Sequence, residues 1–60
     1  MTLEELLWYI NDSTIVAICS INGIRLATYD GKDSIPEEYN DLSVTDILVN
    51  ENALCIEVDI

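Results

Sequence analysis

The stretch Ile15–Tyr29 constrains this chain more than any other, because two β-rich runs flank Asn22-Gly23. Asn-Gly between such runs is the strongest short hairpin signal, since a type I′ turn needs positive φ at both central positions. With Asn22-Gly23 as a two-residue loop, Ile21 pairs with Ile24, Cys19 with Leu26 and Ala17 with Thr28. On the other face Ser20 opposes Arg25, Ile18 opposes Ala27 and Val16 opposes Tyr29. Both faces therefore carry apolar groups. A hairpin with one solvated face would alternate more cleanly, so something must cover the second face.

The flanking segments supply the rest of the fold. Thr2 to Ile10 reads as a helix: Thr2 and Glu5 form the capping-box pattern, and Glu4 and Glu5 suit the positive end of the helix dipole. Leu3, Leu6, Leu7 and Ile10 make a single apolar stripe at helical spacing, with Trp8 and Tyr9 flanking it. Asp30 to Ser34 is a run of turn formers, followed by Ile35-Pro36-Glu37-Glu38-Tyr39, where Pro at a helix start and two acids predict one helical turn. Val44 to Ile60 predicts a second hairpin. Pairing Val49 with Leu54 sets Ile47 against Ile56 and Thr45 against Val58 on one face, and Asp46 beside Glu57 on the other, with Asp59 beyond. The expected fold is α+β, residues 1–60 forming one domain. An N-terminal helix packs on a four-stranded antiparallel sheet of two hairpins, with a short helical turn between them.

A chain of 60 residues buries only roughly 60% of the surface that its unfolded form exposes, close to the lower limit for folding alone. Such domains add a disulfide, a metal or a partner subunit. No His is present, and Cys19 and Cys55 lack metal-ligand spacing. The two are expected as free thiols packing as small hydrophobes, a Cys19–Cys55 bridge being the alternative. A second copy of the chain is the remaining staple. The expected homodimer contact is the side of the first hairpin that the helix leaves uncovered, Cys19, Ile21, Ile24 and Leu26 or else the opposite set Val16, Ile18, Ala27 and Tyr29, with Trp8 at its edge.

Charge narrows the partners. Twelve Asp plus Glu stand against two Lys plus Arg, a net −10. A field of that sign repels nucleic acid and anionic membranes and steers the protein toward basic surfaces. No apolar run reaches the ~20 residues of a membrane span, and the helix start right after Met1 leaves no room for a targeting segment. The expectation is a cytoplasmic protein. Enzyme chemistry finds no footing: there is no nucleophile–base pair, and both glycines, Gly23 and Gly31, sit in turns rather than in a phosphate loop. Asp30 to Ser34 lacks the ligand spacing of a calcium loop. No cofactor and no metal are expected. The acids then serve either solubility or docking. Candidate partner-binding residues are Asp46, Glu57 and Asp59 on the second hairpin, and Glu37, Glu38 and Asp41 around the helical turn.

The succession Thr2-Leu3-Glu4-Glu5-Leu6-Leu7, a hairpin, Ile35-Pro36-Glu37-Glu38-Tyr39 and a closing Leu54-Cys55-Ile56-Glu57-Val58 strand resembles small acidic accessory proteins of bacteriophages and prophages. The likeness spans nearly the whole chain and rests on layout and composition. It implies a non-enzymatic protein working in an infected bacterial cell. Similar phage proteins block host defence, among them anti-CRISPR proteins, inhibitors of helicase–nuclease systems and DNA mimics. The resemblance includes no ligand motif, so no functional residue is carried over. The implied role is binding and inhibition of a basic host nuclease or helicase. The alternatives are an antitoxin for a basic toxin, or a self-assembling structural or regulatory phage protein.

Overall fold

A computed structural model describes all residues, Met1–Ile60. It places one α-helix, two 3-10 turns and four strands in the order α1 (Leu3–Leu7), β1 (Ile15–Cys19), β2 (Arg25–Tyr29), 3-10 turns at Lys32–Ser34 and Glu37–Tyr39, β3 (Val44–Asn50) and β4 (Ala53–Val58). The α+β class holds, but the sheet is mixed rather than antiparallel. Its order is β2-β1-β4-β3; both hairpins are antiparallel, whereas β1 and β4 run parallel at the centre. The physical reason lies in which strands are apolar on both faces. In β1, Val16, Ala17 and Ile18 are all buried, and in β4 Cys55, Ile56 and Val58 are. Central positions go to these two strands, and β2 and β3, with Arg25, Thr28 and Asp46 in solvent, become the edges. The connection Asp30–Ser43 then crosses from one edge to the other, which sets β4 parallel to β1.

One face of the sheet is covered by α1 and the crossing segment. Leu3, Val16, Ile18, Ile35, Ile56 and Val58 form the core, with Leu6, Leu7, Ile10, Tyr29, Tyr39, Leu42, Val44 and Leu54 packed against it. Thr2 caps α1 as the sequence predicts: Glu5 N donates to Thr2 Oγ1 at 3.3 Å and Thr2 N donates to Glu5 Oε1 at 2.9 Å. The helix is shorter than expected. It ends at Leu7, where tighter bonds from Tyr9 N to Leu6 O (3.0 Å) and Ile10 N to Leu7 O (3.2 Å) turn the chain toward β1. Lys32 Nζ donates to Leu7 O at 2.9 Å and so satisfies a terminal carbonyl. The apolar stripe survives the early stop, because Ile10 still reaches the core.

Both hairpins match the expected register away from their irregularities. In the first, Val16↔Tyr29, Ala17↔Thr28 and Ile18↔Ala27 pair as predicted, but Cys19 meets Arg25 rather than Leu26. Ser20 N donates to Ile24 O and Gly23 N to Ser20 O, both at 2.8 Å. The loop is therefore the three-residue Ile21–Gly23, with only Gly23 at positive φ (+81°). This loop asks for one left-handed residue where the type I′ turn asks for two, and Asn22 keeps an ordinary φ. A bulge beside Ile18 and Cys19 restores the register. In the second hairpin Val49↔Leu54, Ile47↔Ile56 and Asp46↔Glu57 pair as predicted. There, too, a bulge intervenes: Val44 rather than Thr45 meets Val58, and Val44 packs on the core.

Candidate interaction surface

Strand alternation divides the molecule into an acidic helical layer and an uncovered sheet face. Leu3 N donates to Leu42 O at 2.9 Å and Glu4 N to Asn40 O at 3.1 Å. These bonds knit α1 to the segment after the second 3-10 turn, and Glu4 and Glu5 come to stand on the same layer as Glu37, Glu38 and Asp41, all exposed. The sequence groups the last three but not Glu4 and Glu5. Their role at the helix start explained them fully, and nothing local reveals that α1 returns beside Asn40. The capping box also fixes Glu5: bonds from the Thr2 backbone and hydroxyl hold its carboxyl below the usual range.

The second group lies elsewhere. Asp46 pairs with Glu57 on the uncovered face, and Thr45 Oγ1 donates to Glu57 Oε1 at 2.8 Å. Asp59 follows the end of β4, with its N–H donating to Ser43 O at 2.9 Å. Asp46 and Glu57 thus sit across the sheet from the helical layer, so one flat partner cannot engage both groups at once.

Neither cation relieves this charge. Lys32 is tied to Leu7 O and to Asp12 Oδ1 at 3.3 Å, which is the single salt bridge. Arg25 lies across the uncovered face, its Nη2 at 3.9 Å from Cys55 Sγ. No acid other than Asp12 forms a salt bridge, although Lys32 lines the same notch as Glu4 and Asp33. A shallow notch of about 280 Å³ opens on the helical layer between Glu4, Leu7, Trp8, Lys32 and Asp33. Trp8 is 79% exposed there, and Tyr9 is 84% exposed.

Cys19 and Cys55 are free thiols on the uncovered face. Burial pushes the Cys19 thiol up, and Cys55 and Glu57 add to it against the opposing effect of Arg25. A thiol held protonated is a poor nucleophile. Of the residues expected to form a dimer contact, Ile21, Ile24 and Leu26 are exposed and Cys19 is half-buried. Trp8 belongs to the helical layer and Cys19 to the opposite face, so the five do not make one patch. Compared with protein-family models, characterised proteins and solved structures, the chain matches none of them.

Proposed function

We propose that this chain is a non-enzymatic interaction protein that docks its acidic helical layer on a basic, nucleic-acid-handling protein of a bacterial host and inhibits it. The observation that carries this reading is the gathering of Glu4, Glu37, Glu38 and Asp41 on one layer, beside the capped Glu5, with none of them in a salt bridge. Unpaired carboxylates on one side of so small a body present a phosphate-like field, which speeds encounter with a basic groove. Trp8 and Tyr9 supply the rigid, amphipathic area that such contacts use as anchors. The phage-type layout of the sequence supports the same reading, with host defence nucleases and helicases as targets. The notch beside Trp8 is shallow and already holds Lys32, which suits a protein contact better than a small substrate.

Immobilised protein is exposed to bacterial lysate and washed with rising salt, beside the variant Glu37→Gln/Glu38→Gln/Asp41→Asn. A nuclease or helicase retained at low salt, released as salt rises and lost with the variant supports the reading. Retention indifferent to both salt and variant overturns it, and apolar contacts then carry the binding.

A further inference from the structure

The exposed edge of the sheet contains a second feature, independent of the acidic layer. β3 is a seven-residue edge strand whose start is already covered by the N-terminus, Val44 N donating to Met1 O at 2.8 Å and Thr2 bridging Ser43. The open edge therefore begins past Val44; along it Ile47, Leu48 and Val49 are 43%, 58% and 80% exposed. An edge this long and apolar is a template for strand pairing unless something blunts it. The two-residue turn Glu51-Asn52 closes on the pair Asn50↔Ala53. In an antiparallel ladder hydrogen-bonded and non-hydrogen-bonded pairs alternate. Asn50, Leu48 and Asp46 therefore bond inward to β4, and the N–H and C=O of Val49 and Ile47 face out. One of those outward donors is taken: Ile47 N donates to Asp46 Oδ1 at 2.8 Å.

We propose that the β3 edge is a docking site for a second copy of this chain, and that the Asp46 carboxylate is the latch that keeps it closed. The edge is self-complementary about Leu48. Antiparallel pairing centred there sets Ile47 against the second copy's Val49, and each of these is an outward-facing residue, so both exchange hydrogen bonds. Leu48 meets itself on the uncovered face. Charge fits too: Asp46 falls opposite Asn50 and Thr45 opposite Glu51, so no like charges are opposed although each chain carries −10. Asp46 is the one charged residue within β3, so a strand-length approach here brings a single acid from each copy to the contact. In this pairing the second copy's Val49 carbonyl needs the Ile47 N–H that Asp46 occupies. Removing the carboxylate frees the donor and discharges the edge.

Sedimentation equilibrium at moderate salt tests the latch on the full chain and its variants. The wild type is expected near the 6.7 kDa of one chain. Asp46→Ala is expected at twice that mass, associating at least about tenfold more tightly, the scale of one hydrogen bond to a charged group. Asp46→Thr, a better strand former, is expected to do the same and guards against a folding defect. Adding Leu48→Lys to either variant puts like charges face to face at the two-fold centre and returns the single-chain mass. Asp46→Ala and Asp46→Thr that both remain single chains overturn the proposal. A wild type that dimerises as tightly as they do overturns the latch. Dimers unaffected by Leu48→Lys overturn the edge.

Discussion

At the scale of single residues, backbone conformation decides more than side-chain chemistry. Glu51 holds φ at +54°, the one non-glycine residue in the left-handed region, at the turn of the second hairpin. An L-residue with a Cβ is strained there by about 1 kcal/mol. Glu51→Gly is therefore expected to raise the unfolding free energy by ~0.5–1 kcal/mol, part of the relief being offset by the entropy of glycine in the unfolded chain. Denaturant midpoints compare the two proteins; an unchanged or lower midpoint would show that the turn bears no strain. Glu5 sets a pH dependence. Its carboxyl is held below the usual range by Thr2, so the folded state binds that proton more weakly than the unfolded chain does. The stability this provides is present above the ordinary carboxylate pKa and lost as pH falls through the depressed one. Glu5→Gln keeps the capping geometry but cannot titrate, and is expected to show a shallower loss of melting temperature on acidification. A parallel acid limb in both proteins would contradict it.

At the scale of elements, each hairpin keeps its predicted pairs near the core and departs from them near its irregularities. The Ile21–Gly23 loop needs positive φ at Gly23 alone, and there a Cβ would have free space around it. The penalty for a side chain is thus purely conformational. Gly23→Val is expected to cost ~1–2 kcal/mol, read as a lower thermal midpoint with no change in the folded-state circular dichroism. A midpoint equal to wild type would mean the loop turns at another residue. The helix shows a related economy. α1 has five residues, far below the ~12–15 at which an isolated helix is even marginal in water. Its capping box starts it, the Lys32 ammonium satisfies its last turn, and fully buried Leu3 pins it to the sheet.

At the scale of the whole molecule, charge opposes compactness. A net −10 on 60 residues, with one salt bridge, is self-repelling, and most of that repulsion is among exposed groups that salt screens. The melting temperature is expected to rise as sodium chloride is raised from low to moderate concentration, in the opposite sense to a protein held by surface ion pairs. A melting temperature that falls over this range would mean that attractive pairs dominate. The same field separates the two surfaces proposed above. The helical layer is where the unpaired acids collect and where a basic partner is drawn in. The β3 edge, with Asp46 as its single charge, brings only one acid from each copy to a strand-to-strand contact.

The features legible in the sequence were those decided within a few residues. Thr2 and Glu5 announce the cap, the Leu3–Ile10 spacing announces the stripe, and alternation in Val44–Val58 announces the register of Ile47, Val49, Leu54 and Ile56. The contest between a two-residue and a three-residue loop at Asn22-Gly23 turns on the φ of one residue, and composition suits both. Strand order is not local at all. It follows from comparing the burial of all strands at once, which sends β1 and β4 to the centre, while the Asp30–Ser43 connection, by returning the chain to the opposite end of the sheet, makes them parallel. The meeting of Glu4 and Glu5 with Glu37, Glu38 and Asp41 depends on that same crossing, because it carries Asn40 and Leu42 back to the start of α1. The sequence by itself determined the acidity, the elements and most cross-strand pairs, since these depend on neighbours along the chain. Only the tertiary structure decided which strands became edges and which acids share a surface, since burial is apportioned among distant segments together.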